Sequence, residues 1–288
     1  MIDWLNTVVQ GLLLGGLYAL FAMGLSLIFG VMRLTNIAHG DFIVLAAFGA
    51  FALTSHAGVG PIGALVFLLP LAVAFGYALQ RVVLNTTLTR DPLPSLVVTF
   101  GLSIVIQNVL QEIFSADPRS IPAGKLATAS VQLLPGVTVG VLPVLIFGVA
   151  VLVAAALQWL FVSTAIGSAF RATSDDRETA ELMGLDARVV YAWASAIAFA
   201  VIAVAGVLQG MRTTVAPADG PGLLLYAFEA VVIGGLGSFW GTFAGGMILG
   251  VTQAVGFRFD PGWGIWLGHV VFLVILLVRP AGLFPRMR

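Results

Sequence analysis

Residues 222–256, GLLLYAFEAVVIGGLGSFWGTFAGGMILGVTQAVG, decide how the rest of the chain is arranged, because they carry one charge, Glu229, in 35 residues. As a single helix at about 1.5 Å per residue the stretch would be about 50 Å long, against a bilayer hydrocarbon core of about 30 Å. It is too long for one span. The Gly-rich run GGLGSFWG at 234–241 is where the helix is expected to break into two shorter pieces.

Outward from this stretch, further apolar runs fall at 4–29, 42–53, 62–84, 93–114, 141–162, 189–211 and 262–278, separated by polar or Gly/Pro-rich breaks. Hydrophobic residues make up 60% of the chain and Asp, Glu, Lys and Arg only 9%, where a soluble domain has about 25% charged residues. So few charges cannot cover a water-exposed surface, and the whole of residues 1–288 reads as one all-α, polytopic membrane helix bundle. A net charge of zero gives no long-range field to attract a nucleic acid or a strongly charged solute. The chain has no Cys, so disulfides and thiolate metal sites are excluded. Asp3 rather than a cationic stretch precedes the first run, which reads as a retained span and not a cleaved signal.

Cytoplasmic loops carry the excess of Lys and Arg. The clearest anchors are Arg171, Arg177 and Arg188 in one loop and Arg279, Arg286 and Arg288 in the tail. If both face the cytoplasm, an even number of crossings separates them. Breaking 222–256 gives four, whereas leaving it whole gives three. Counting back brings Arg33, Arg81 and Arg90 inside, leaves Arg119, Lys125, Arg212 and Arg258 outside, and puts the N-terminus outside with eight or nine spans, some short or broken. The loops 115–140 and 213–221 then form the outer surface. Glycines four apart, Gly11 and Gly15, then Gly237, Gly241 and Gly245, then Gly246 and Gly250, suit close helix packing in lipid.

No GxxxxGK[ST], HExxH or GxSxG motif is present, and the three His are scattered, so catalysis and metal binding have no visible seat. Two polar segments stand out. MRLTNIAHGDF at 32–42 lies between apolar runs, and the run after it is short for a span. It reads either as a broken or re-entrant helix whose Asn36, His39 and Asp41 line a solute path, or as an ordinary turn with Asp41 capping the next helix. RATSDDRETAELMGLDAR at 171–188 reads as a short helix capped by Thr173 or Ser174, ended by Gly184 and followed by a cap at Asp186. Such a connector either rests on the lipid surface or docks on a partner. Polar residues within spans, Gln107, Asn108, Gln111, Glu112, Gln209, Glu229, Gln253 and His269, are expected to face the bundle interior, and Glu229 is a further candidate for a solute path.

The N-terminal block GLLLGGLYALFAMGLSLIFGVMRLTNIAHGDFIVLAAF, the connector ATSDDRETAELMGLDARVV, the block EAVVIGGLGSFWGTFAGGMILG and the tail RPAGLFPR, in that order, resemble the permeases of branched-chain amino acid ABC importers, and the shorter permease of the pair. The resemblance implies a bacterial inner-membrane protein that works with a second permease, two cytoplasmic ATP-binding subunits and an external or periplasmic solute-binding protein. ATP and Mg would bind in the ATPase subunits, with no cofactor in this chain. It also implies that the connector 171–188 is a cytoplasmic coupling loop, with Glu178, Ala180, Glu181, Leu182, Gly184 and Asp186 as its contacts. Family members also serve urea and short amides. From the residues alone, an ATP-independent secondary transporter or channel and a non-transporting membrane scaffold remain open.

Overall fold

The computed structural model describes residues 2–88, 92–134 and 136–284. Arg90, Arg286 and Arg288 lie outside the described residues. In chain order the elements are α1 (Ile2–Met32), α2 (His39–His56), α3 (Pro61–Leu79) continued by a π-turn (Gln80–Leu84), α4 (Asn85–Thr87), α5 (Leu93–Phe114) and α6 (Lys125–Thr128). A hairpin of β1 (Ser130–Leu134) and β2 (Val137–Gly140) follows, then α7 (Val141–Ser163), α8 (Ala165–Asp175), α9 (Arg177–Leu182), α10 (Ala187–Arg212), a 3-10 turn (Pro217–Asp219), α11 (Gly220–Gly234), α12 (Phe239–Phe259) and α13 (Trp263–Val278).

Nine helices among the described residues have 15 or more residues. Five of these, α1, α3 with its continuation, α5, α7 and α10, are long and apolar enough to cross a membrane unaided, and α13 is a shorter apolar helix. The stretch 222–256 does break. Its two pieces, α11 and α12, meet at 117° across residues 235–238, where Gly235 and Gly237 take positive φ values of +105° and +82°. Those angles are strained for a residue with a side chain, so the glycines permit the turn. The hairpin at 130–140 was not expected from an all-α pattern. It closes the loop before α7 through antiparallel pairs such as Val131 with Val139.

The core forms around α1 and α10, whose windows are largely buried, while α3, α5 and α7 turn most of their apolar surface outward. Without a hydrophobic drive between helices in lipid, close backbone approach must supply the attraction. Gly11 and Gly15 on α1 lie directly against Gly250 and Gly246 on α12, and a Cβ at Gly15 would stand 2.7 Å from the Met247 Cα. On the other side of α12, Gly241 and Gly245 face the backbone of α11 at Gly234 and Ala230.

The bundle has two chemically distinct ends. At one, Arg258 bonds the Asp3 carbonyl oxygen and the Thr7 hydroxyl, both at 3.0 Å, and stacks over Trp4, while Gln10 donates to the Thr138 carbonyl. At the other, Arg33 reaches the Ser174 carbonyl, Arg81 pairs with Asp186 at 3.7 Å, Asn85 donates to the Arg188 carbonyl, and Phe284 bonds back to Gly234. Four helices, α10 to α13, lie between the connector and the tail, the even number that the charge pattern required.

Candidate functional site

The segment after α1 folds back into the bundle. His39 Nε2 lies 2.8 Å from the Phe21 carbonyl oxygen, so that nitrogen carries a proton. Phe21 precedes the end of α1 by eleven residues, so α2 starts about 16 Å back along α1, near mid-depth. This is the broken-helix alternative of the two sequence readings. Asp41 does not cap α2. It sits in the first turn, and its Oδ1 accepts from Gln107 Nε2 of α5 at 2.9 Å. Asn36 Oδ1 accepts from the Ala38 N–H, and the Asn36 carbonyl accepts from the His39 N–H, which ties the entry strand to the helix start.

A second helix begins at the same place. A Cβ added at Gly40 would collide with the Gly220 carbonyl oxygen, and one added at Gly220 would collide with the Asp41 carboxyl. The N-termini of α2 and α11 therefore meet inside the bundle with Asp41 between them, and both present positive dipole ends to that point. Neither Gly40 nor Gly220 was singled out from sequence. The signal was there only as two glycines beside polar breaks 180 residues apart.

Glu229 does not join this group, since it lies nine residues, about 13 Å, further along α11. It pairs with His269 Nδ1 at 2.5 Å, in a polar cluster completed by Tyr18 and Tyr226, stacked at 4.9 Å, and by Gln253, whose Oε1 accepts from the Tyr18 hydroxyl at 2.6 Å. Asn36, His39, Asp41 and Glu229 are all buried within this chain. Gln253 is also buried, whereas Asn108, Gln111 and Glu112 are exposed, contrary to the interior placement expected of them. Asn108 satisfies its amide on its own helix, at the Ile104 carbonyl, and Gln111 and Glu112 lie in the last turn of α5.

The connector is built differently from the sequence expectation at its start and as expected at its end. Thr173 and Ser174 belong to α8, and both are buried, Ser174 donating to the Gly30 carbonyl at 2.8 Å. The cap of α9 is Asp176, which accepts from the Thr179 hydroxyl at 2.6 Å and the Thr179 N–H at 3.1 Å. The Thr179 hydroxyl and then its N–H hold the Asp176 carboxyl below the ordinary range, favouring the ionised cap. Glu178 lies in the first turn, and Glu181 pairs with Arg177 at 2.9 Å. At the other end Leu185 N–H donates to the Ala180 carbonyl and Gly184 N–H to that of Glu181, with Gly184 at φ +89°. This double closure is the Schellman arrangement. Asp186 caps α10 through the Arg188 and Val189 N–H groups. Ala180 is turned inward, 4% exposed, while Leu182 and Met183 project at 88% and 81%.

At the opposite end, the loops 115–140 and 213–219 are joined by a β-bridge between Arg119 and Val215. Arg119 also contacts the Phe114 carbonyl, the Asp117 carboxylate and the Phe51 ring, so it holds this surface together, whereas Lys125 is free of such duties and exposed.

Apolar helices long enough to span a bilayer, two half-helices meeting at a buried carboxyl, and a capped connector at one end describe a polytopic membrane helix bundle. The family model described as "Branched-chain amino acid transport system / permease component" matches residues 7–279, and the chain belongs to that family. It is 31% identical to the high-affinity branched-chain amino acid transport system permease protein BraD of Pseudomonas aeruginosa, over 98% of this chain and 96% of that one. It is 27% identical to the corresponding LivH of Escherichia coli, with the same coverage, and 26% identical to a probable LivH of Methanocaldococcus jannaschii, over 93% of this chain and 88% of that one. The protein is a multi-pass transport permease.

Proposed function

We propose that this chain is one of two permease subunits of an ATP-driven importer that carries branched-chain amino acids across a bacterial inner (plasma) membrane. The observation that carries the reading is the meeting of α2 and α11 at Asp41, in a chain similar over nearly its whole length to permeases of branched-chain amino acid transport systems. Half-helix termini inside a bundle are the usual construction of a transporter's solute site. On this reading Asn36, His39 and Asp41 border the solute path and Glu229 stands beyond them on α11. Two cytoplasmic subunits bind ATP and Mg and hydrolyse ATP, and an external solute-binding protein delivers the amino acid. The connector end faces the cytoplasm. Glu178, Ala180, Glu181, Leu182, Gly184 and Asp186 transmit the ATPase movement through α9, whose exposed Leu182 and Met183 suit a protein groove.

Affinity purification of the chain from native membranes is expected to recover an ATP-binding subunit and a second permease. The complex, reconstituted with its receptor, is expected to take up labelled leucine only with ATP. Uptake of urea or short amides in place of leucine would replace the solute, and ATP-independent uptake would sink the importer reading.

Two further results are expected. Single Cys residues in this Cys-free chain at positions near Asp3 and Lys125 are expected to react with an impermeant thiol reagent on intact cells, and Cys at Leu182 only after permeabilisation, because the basic residues concentrate at the connector end. External labelling at Leu182 would invert the orientation. Charge reversal at Lys125 is expected to weaken delivery by the binding protein without unfolding the loop, an effect of about twofold to tenfold for one exposed charge. Unchanged delivery would remove Lys125 from the docking surface.

A further inference from the structure

The face that α5 turns to α2 carries a polar residue at every fourth position: Ser95, Thr99, Ser103 and Gln107. That spacing puts all four on one side of the helix. Ser95, Thr99 and Ser103 are buried, while Val97, Phe100, Ile104 and Val105 cover the outer side. Such a run of small polar residues suits close helix packing in lipid, and it also leaves hydroxyls that water can solvate.

The bonding of the stripe is largely internal. Thr99 Oγ1 donates within its own helix, to the Ser95 carbonyl at 2.9 Å, and Gln107 donates to Ser103 Oγ at 3.1 Å. Across the seam there are the Ile37 N–H to Thr99 Oγ1, at 3.3 Å, and Gln107 to Asp41, at 2.9 Å, with the Ser103 hydroxyl beside the same Asp41 carboxyl. Both ends are pinned, one where Ser95 Oγ lies 2.9 Å from Thr87 Oγ1 of α4 and the other where the Phe114 ring packs on Phe48 and Phe51 of α2. Between those ends, parting α5 from α2 would break few hydrogen bonds and leave hydroxyls that water can solvate.

A second, independent observation points to a ligand. Asp41 Oδ2 and Asn36 Nδ2 are buried and have no hydrogen-bond partner among the described residues, although buried polar groups are nearly always paired. One is an acceptor on a carboxyl and the other an amide donor. Together they answer the two ends of a zwitterion, ammonium and carboxylate.

We propose that the α2–α5 seam opens during transport to form the wetted wall of the solute path, with Asp41 receiving the solute's ammonium group and Asn36 its carboxylate. The proposal rests on the import reading above and names the chemistry of that site. Asp41→Asn keeps the oxygen that accepts from Gln107 but removes the charge.

The test uses the full complex in proteoliposomes, with Thr99→Cys and Ser103→Cys each introduced into the Cys-free chain and treated with a small, impermeant cationic methanethiosulfonate. Both cysteines are expected to react about tenfold or more faster during turnover than at rest, as burial gives way to water, and to be protected by excess leucine. Val97→Cys on the outer side is expected to stay unreactive throughout. Asp41→Asn is expected to lower leucine uptake about tenfold or more, the loss of one charge-assisted hydrogen bond, while the ATPase subunits stay bound. Unreactive cysteines at both positions in a transporting protein would overturn the seam, and normal uptake by Asp41→Asn would overturn the ammonium assignment. The Cys-free parent, assayed beside them, separates these failures from that of the import reading. A parent without ATP-dependent leucine uptake would overturn that reading and the proposal with it.

Discussion

Replacing Gly250 by Leu is expected to prevent the bundle from forming. A side chain there would drive its Cβ into the Gly11 carbonyl oxygen and the Gly15 N–H, both of them backbone atoms of the central helix α1 that cannot rotate aside. Overpacking a tight core costs about 1–3 kcal/mol where side chains can give way, and more where only backbone can, against a total stability of about 5–15 kcal/mol. Gly15→Leu meets the Gly246 carbonyl and Met247 in the same contact and is expected to act alike. The same change at Gly148 on α7 has open space around its Cβ and serves as the control. The measurement is the yield and melting temperature of detergent-solubilised protein by size exclusion. A monodisperse Gly250→Leu with an unchanged melting temperature would show that α1 and α12 are not held by this contact.

Ala180→Trp and Gly184→Trp are expected to leave a folded, inserted permease that no longer couples ATP hydrolysis to uptake. Ala180 is the buried residue of α9, 4% exposed, and a Trp there must displace the helix from its seat. Gly184 has room for a side chain but holds φ at +89°, where a residue with a Cβ costs about 1–2 kcal/mol, enough to shift the connector's preferred geometry by about tenfold. The two variants act through different physics, so agreement between them isolates the connector's orientation as the cause. Uptake, ATPase rate and retention of the ATPase subunits are measured together. A loss of uptake with ATPase activity preserved, or release of the subunits, is the expected outcome. Normal uptake and normal association in both would leave α9 as a helix lying on the lipid surface.

The break in 222–256 could be read before the structure because bilayer thickness limits helix length and the densest Gly run, 234–241, marked the expected place to bend. Gly184 and Asp186 were legible for a similar reason, as each has a role fixed by local backbone chemistry. Thr173 and Ser174 misled because they have the right chemistry for a cap, while α8, running from Thr164 through them, had already taken them up. Local rules cannot rank Thr173 and Ser174 against Asp176, three and two residues further on, when burial against Gly30 decides. The meeting of Gly40 with Gly220 and the pairing of Asp41 with Gln107 join residues 180 and 66 positions apart, and no periodicity in one segment reports on the other. Of the stripe on α5 only Gln107 stood out from the sequence, because the meaning of Ser95, Thr99 and Ser103 depends on which helix they face.

The start of α2 at mid-depth also bears on how the protein is made. Residues 33–41 emerge early, yet Asp41 finds its amide partner only after Gln107 has been synthesised, and its glycine neighbour only after Gly220. Until then a carboxyl and an irregular strand wait inside a half-built bundle. A nascent chain that ends before Gly220 therefore lacks the helix terminus that packs against Asp41 in the finished protein, and the order of synthesis leaves this polar segment to be sealed late.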